Sequence, residues 1–345
     1  MFNYETYFIF LLINFPSLKM HTNQKLLVDY LISKGASYTV LDEYEELLEI
    51  KYKNKKDFLY DRFSSEVPFH SIKLTADKFF TKKILTSNNI ATPEGNIFTS
   101  NTYYDALKFA EKIFPVVLKP NWGSHGDFVY VDITSTDELI KSLSLFYKEK
   151  DPNEPFIIEK FYPWPEYRLF ITHLGGFAVI NREWSFVLGD GIKSIQQLVH
   201  VENSYRKHLK KTVNTSLCPI ILDEEVFKFL HRNNKSIDYV PKIDEKVYLR
   251  QESNLAKGGL SINTTEKMPQ FFKELALNTL SCFPGLKLAG LDVLCNDIFS
   301  PNPQYQILEI NSNPGLTMHH YPAIGKAENV AKMVADVMFP NWFEK

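Results

Sequence analysis

Cysteine is scarce in this chain, with only Cys218, Cys282 and Cys295 among 345 residues. They form no CxxC pair and no even disulfide framework, which excludes a stapled secreted scaffold and makes a reducing, cytoplasmic compartment the expectation. Zinc ligand sets are lacking too, since there is no HxxH-type spacing and no cysteine set. Net charge is close to nil, at −2, so nothing electrostatic argues for nucleic acid as a partner. The small basic run from Lys51 to Lys56 reads as the solvated face of a hairpin. A long apolar run is also missing. Tyr7 to Ile13 falls well short of the ~20 residues a membrane span requires, so no membrane partner is expected. Glu5 precedes that run and no Lys or Arg comes before Lys19, so the basic start of a signal peptide is absent. The run reads as a buried first strand rather than a targeting segment. Met20 leaves open a start that would place residues 1–19 outside the native protein.

What is present is a globular composition, 44% hydrophobic and 23% charged, long enough for two or three subdomains. Residues 6–13, 23–34 and 37–41 read as strand, helix and strand, a βαβ order that predicts a parallel sheet. A hairpin follows, from Leu47 to Tyr52 and from Phe58 to Phe63. Thr75 to Ser87 is predicted as one helix with Thr75 as its N-cap and Asp77 in its first turn. Beyond it come helix 102–113, strand Pro115 to Lys119, a Gly-bearing loop and strand Phe156 to Lys160. Tyr167 to Thr172 and Phe177 to Asn181 flank Gly175-Gly176 as a hairpin. A helical insertion precedes strand Lys246 to Arg250. Helix 269–282, strands Leu286 to Cys295 and Gln304 to Ile310, and helix 326–338 complete the order.

The strongest chemical signal is Leu308-Glu309-Ile310-Asn311-Ser312-Asn313-Pro314-Gly315. On a strand, Glu309 and Asn311 point to one face, and two oxygen-bearing side chains there suit a hard cation such as magnesium. Asp292 lies in an apolar strand, where an acid is costly unless paired or metal-bound, and Gly290 on the same face leaves room for a ligand. Lys119 closes a β-branched strand before the loop Asn121 to Gly126, within reach of a nucleotide phosphate, although a strand-end lysine by itself is usually just solvated. Glu159-Lys160-Phe161 ends another apolar strand whose backbone suits a purine edge. By itself it reads as an exposed charge pair, with Glu166 following in a Pro-rich turn.

Taken in order, Asp77-Lys78, Lys119-Pro120, Glu159-Lys160-Phe161, Glu166, Arg250, Asp292 and Glu309-x-Asn311 resemble the ATP-grasp superfamily over roughly residues 74–340. Leu188-Gly189-Asp190-Gly191, Ile195-Gln196-Gln197-Leu198, Tyr248-Leu249-Arg250, Asn254 to Gly259 and Asn313 to His319 are similar to segments of two branches. These are the ATP-grasp domains of cyanophycin synthetases and of bifunctional glutathione synthetases. The resemblance implies an α/β (α+β) fold with two subdomains clasping ATP: a pre-ATP-grasp domain over 1–73 and an ATP-grasp domain over 74–345. The latter divides into a lid at 74–160 and a C-terminal part at 161–345 with an insertion at 200–245. It implies an ADP-forming carboxylate–amine ligase acting through an acyl phosphate on an amino acid or short peptide.

The same resemblance implies the site. Lys78 and Lys119 would hold phosphates, Glu159, Lys160 and Phe161 would line the adenine slot, and Glu166 would bind ribose. Asp292, Glu309 and Asn311 would carry two magnesium ions, with manganese as a substitute. Arg250 would stabilise the transferring phosphoryl group and Arg168 an acid group or phosphate. Asn254, Gly258, Gly259 and Asn313 would meet substrate. His319-His320 reads either as bracing the site or as a solvated loop pair. A small-molecule carboxylate and amine are the expected partners, and dimers are common among similar enzymes. Two departures stand out. Gly126 is followed by Asp127-Phe128 instead of a Gly-x-Gly-like ending, and the further domains of both branches lie outside these 345 residues, which sets the expectation of a stand-alone ligase. An ATP-binding scaffold, or a ligase with a protein-borne acceptor docked on the insertion, is the alternative.

Overall fold

A computed structural model describes residues 20–340 apart from 43, 45, 124 and 125. The strand expected over 6–13 lies outside the described residues. Helix α1 (Thr22–Ser33) buries Leu27, Val28 and Leu31 along one stripe, as its apolar spacing requires. Strands β1 (Ser37–Asp42), β2 (Leu47–Tyr52) and β3 (Lys55–Tyr60) follow as an antiparallel meander, so the described neighbour of β1 is antiparallel. Strand β3 begins earlier than the expected Phe58, because Lys53 adopts φ 53° and turns the chain at once, pairing Tyr52 with Lys55.

The helix expected over Thr75 to Ser87 is in fact two, α2 (Phe69–Ala76) and α3 (Lys78–Ser87). Asp77 caps α3, its carboxylate accepting from the Phe80 amide at 2.8 Å. Thr75, expected in that role, sits in the last turn of α2, and its hydroxyl donates back to the Ser71 carbonyl at 2.8 Å.

The segment expected to form the lid comprises β4 (Gly95–Phe98), α4 (Tyr103–Glu111), β5 (Val116–Pro120), β6 (Tyr130–Ile133), α5 (Thr136–Glu149) and β7 (Phe156–Lys160). Its strands lie in the order β4-β7-β5-β6. Val116, Leu118, Phe156 and Ile158 pack with Ala106 of α4 and Leu139, Leu143 and Phe146 of α5. Strand alternation therefore turns Lys119 and Glu159 to the opposite face.

The rest of the chain comprises β8 (Glu166–Thr172), β9 (Phe177–Glu183), β10 (Phe186–Leu188), α6 (Ile195–Thr212), α7 (Glu224–Arg232), β11 (Lys246–Tyr248), β12 (Leu260–Asn263), α8 (Gln270–Ser281), β13 (Leu288–Cys295), β14 (Tyr305–Asn311), α9 (Thr317–His320) and α10 (Val330–Met338). A five-stranded antiparallel sheet runs β12-β9-β8-β13-β14. One face carries Leu169, Ile171, Leu291 and Val293, packed on α8 and on Leu85 of α3. The other packs Phe170, Ala178 and Leu288 against α10 and α1. The insertion has its own core, in which Val187 and Val247 of the β10–β11 hairpin meet Ile195, Val226 and Leu230 of α6 and α7. Among the described residues no helix is long and apolar enough to cross a membrane.

Leu85 is fully buried and ties α3 to the sheet that carries the site. Leu85→Ala is expected to cost about 2–5 kcal/mol, read as a lower urea midpoint at unchanged slope.

Candidate active site

The face of the five-stranded sheet that meets α1 and α10 becomes charged at its far end. Even-numbered positions of β8, β9 and β13 alternate to that face, which brings Glu166, Arg168, Arg182 and Asp292 together. Asp292 pairs with Arg168 across one strand boundary and with Glu309 across the other. Arg168 grips Asp292 with two nitrogens, Nε to Oδ1 and Nη2 to Oδ2, the latter at 3.0 Å. Arg182 adds Nη2 to the same Oδ1 at 2.9 Å and reaches Glu166 Oε1 with Nη1 at 2.7 Å. The second oxygen of Glu166 accepts from the Ser253 hydroxyl. Expected to bind ribose, Glu166 thus has both oxygens engaged.

Burial pushes the Asp292 carboxyl upward, but the charges of Arg168 and Arg182 outweigh it and hold it down at about 2. Glu309 goes the other way: burial raises it first and the neighbouring Asp292 carboxylate adds to that, with Lys78 opposing. Asn311 donates to Glu309 Oε1 at 3.2 Å, so the two side chains do share a face and a contact. Among the described residues no three His, Cys, Asp or Glu side chains group as a metal cluster. The expected set is instead two carboxylates and an amide. That oxygen set fits magnesium: Glu309 is crowded against a second buried carboxylate, and a divalent cation beside it would relieve the repulsion. Asp292, whose two oxygens are held by arginines, stands behind Glu309 and Asn311.

The expected role of Gly290 needs correction. A Cβ there would lie 2.8 Å from Pro314 Cβ and 3.1 Å from Arg168 Nη1. The space is filled by that guanidinium and by the turn after β14, and is not left for a ligand.

On the lid, Glu159 is buried and lies between two lysines, Lys119 at Oε1 and Lys82 at Oε2, the second at 3.0 Å. Burial would raise its carboxyl, yet the two ammonium groups hold it below the ordinary range. Glu159 therefore anchors lysines and does not face an adenine slot as an open acid. The amides of Lys160 and Phe161 donate to Glu94 O and Pro115 O at 2.8 and 2.9 Å, so these two donors are already used. Lys78 sits between the clusters. It donates to Gly123 O of the covering loop at 2.8 Å, and its ammonium is lowered by burial, supported by Glu309 and opposed by Lys119.

The remaining expected residues lie apart from that row. Arg250 is 2% exposed, donating to Glu252 at 2.6 Å, to Ile221 O at 2.8 Å and to Asp223 at 3.1 Å. Asn254 caps the short turn Leu255–Lys257. A Cβ on Gly126 would lie 3.3 Å from Asn254 Nδ2, so the covering loop and the substrate-side loop meet there. Gly258 has φ 101°, and a Cβ on it would come within 2.6 Å of Ile220 Cα. Arg206 Nη1 holds its carbonyl at 2.9 Å. Asn313 is bonded to the N-terminal unit, donating to Asp61 at 3.0 Å and accepting from Arg62 Nε at 3.1 Å. His319 is fully buried beside Phe170, pushed down to about 3 by burial and by nearby Arg168, and thus neutral, which decides against a solvated loop. His320 accepts from the Ala331 amide at 3.0 Å.

Arg182, Lys82 and Arg62 were not among the expected site residues. Only Lys82 had a signal, lying one helical turn from Lys78. Counting from a two-residue Gly175-Gly176 turn would set Glu166 opposite position 185, whereas the wider turn closed by the Thr172 amide on the Gly176 carbonyl sets it opposite Arg182. Arg62 had none, since its partner Asn313 is 251 residues away in sequence.

The fold is α/β and resembles that of ATP-grasp ligases, as the sequence motifs led one to expect. The chain is similar to two kinds of ligase. It is 29% identical over 301 residues to cyanophycin synthetase of Synechocystis sp., covering 86% of this chain and 34% of that protein. It is 28% identical over 343 residues to the glutathione biosynthesis bifunctional protein of Clostridium perfringens, covering 96% and 42%. The crystal structure of a bifunctional glutathione synthetase from Pasteurella multocida superposes with a TM-score of 0.66 at 25% identity, over 94% of this chain and 44% of that one. The chain thus spans less than half the length of these relatives. No protein-family model matches it.

Because Glu309 is raised by burial beside Asp292, it binds its proton more tightly folded than unfolded. Stability therefore falls as pH rises above about 4.3, the ordinary value for Glu. Glu309→Gln is expected to raise the thermal midpoint at pH 8 without magnesium, with the gain gone at pH 4. A gain of equal size at both values would contradict this charge crowding.

Proposed function

We propose that this chain is an ATP-dependent carboxylate–amine ligase acting on an amino acid or short peptide. The observation that carries the reading is the buried row Arg182–Asp292–Arg168, with Glu309 and Asn311 beside it and Lys78 and Lys119 across from it. Its work is to hold a triphosphate and to neutralise charge that moves. A substrate carboxylate oxygen attacks the γ-phosphorus and ADP leaves. The amine nitrogen then attacks the acyl carbon, phosphate leaves, and the nitrogen gives up a proton. Magnesium, assigned as two ions at Glu309, Asn311 and Asp292 with manganese as a substitute, would supply charge neutralisation on the phosphates.

The chain's own groups do the positioning. Lys119, locked by Glu159, and Lys78, at the start of α3, present ammonium groups to phosphate oxygens. Lys160 and Phe161 border the adenine slot, while Glu159 and Glu166 hold Lys119 and Arg182 in place. Arg168 and Arg250 are guanidinium forks fixed by carboxylates and meet the transferring phosphoryl group and the oxyanion. Asn254, Gly258 and Gly259 close over the acyl group under the loop ending at Gly126, and Asn313 faces substrate from its tether to Arg62. The three free cysteines suit a reducing, cytoplasmic setting. The named relatives are a synthetase and biosynthetic proteins, which gives the scaffold reading no support.

The test is ADP release with magnesium over pools of amino acids, dipeptides and small polyacids. Substrate-stimulated release is expected in at least one pool, reduced by about 10²–10³ in Glu309→Gln. Glu309→Gln is the cleaner variant, because Arg250 is buried in three contacts and its removal would also disturb the insertion. Silence in every pool, or an undiminished Glu309→Gln enzyme, would refute the assignment.

A further inference from the structure

The two lysines assigned above to phosphate come from different elements, Lys78 from the start of α3 and Lys119 from the end of β5. They repel each other: burial lowers the Lys78 ammonium, and the charge of Lys119 lowers it further against the support of Glu309. Two like charges keep one spacing only if the elements that carry them are tied together. Asn121 makes that tie. It directly follows β5, close behind Lys119, and is 1% exposed.

Three of its groups are engaged, each with a different residue. The Asn121 carbonyl accepts from the Lys78 amide at 3.3 Å, and its side-chain Oδ1 accepts from the Phe79 amide at 3.0 Å. Its own amide donates to Pro155 O at 3.1 Å, just before β7, the strand that carries Glu159. The first amides of any helix lack intrahelical acceptors. In α3, Asn121 takes those of Lys78 and Phe79, and Asp77 takes that of Phe80. These three amides are therefore closed to an anion, and a phosphate at this end is met by ammonium groups instead of helix amides. Glu159 fixes one of those ammonium groups, Lys119, from β7. Asn121 joins the β5–β7 pair to the first turn of α3, and so sets where Lys78 stands relative to Lys119.

We propose that Asn121 is a positioning residue for the nucleotide, clamping α3 to β5 so that Lys78 and Lys119 meet neighbouring phosphates of one ATP. That ATP is the ligand rests on the ligase reading. The test is isothermal titration of ATP–magnesium into the whole chain, in a double-mutant cycle of Asn121→Ala and Lys78→Ala. Asn121→Ala is expected to weaken binding about ten-fold when Lys78 is present and to add little to Lys78→Ala. Asn121→Ser, whose side chain is one atom too short to reach the Phe79 amide, is expected to show the same loss and replaces Asn121→Ala if that variant does not fold. A residue that only supports the fold would leave the affinity of the folded chain unchanged. One that acts apart from Lys78 would weaken it equally in both backgrounds. Either result overturns the proposal, as does an unchanged affinity in Lys78→Ala itself. If every variant binds ATP equally and the chain still releases ADP with an amino-acid pool, the clamp falls and the ligase reading stands. If the unaltered chain binds no ATP, both fall together.

Discussion

The carboxylate of Asp292 lies between two guanidinium groups in a place almost closed to water, and the order of the site follows from that. A buried charge without a partner costs several kcal/mol, and removing one member of such a pair typically costs about 3–5 kcal/mol. Arg168 and Arg182 therefore bind Asp292 in one geometry. Because they come from β8 and β9, they also hold the register of three strands. Gly290 is part of the same constraint, since only a glycine leaves space for the Arg168 guanidinium beneath Pro314. Glu309 then sits beside a carboxylate that cannot take up a proton easily, so the strain falls on Glu309, the residue best placed to meet a cation.

The lid repeats the device with lysines in place of arginines. Glu159 is the buried acid and Lys82 and Lys119 are its cations, so one carboxylate fixes two ammonium groups. Lys78 senses both clusters and is held by the covering loop, which makes it the electrostatic joint between lid and sheet. The insertion is held to the site by backbone contacts. Arg206 holds the Gly258 carbonyl, and the close approach of Ile220 leaves that position to glycine.

Much of this was legible before any fold was known. The alternation that puts Glu309 and Asn311 on one face, and the apolar strands around Asp292, are period-2 patterns that survive folding. Helix boundaries were less legible. Thr75 and Asp77 are both good caps by residue type, and the choice between them depended on where the α2 hydrogen bonds ended. Glu159 and Gly290 were misjudged for a shared reason: a strand pattern tells which side a residue faces, but not what is already standing there.

By itself, the sequence determined the order of elements, the strand faces and the set of oxygen and nitrogen groups available to a phosphate site, because these depend on residue type and short spacing. Only tertiary structure decided that Asp292 is held by Arg182 as well as Arg168, that Glu159 anchors Lys82, and that Arg62 of the N-terminal unit reaches Asn313. Those contacts join elements that are separated by tens to hundreds of residues, and no local periodicity carries the distance between them.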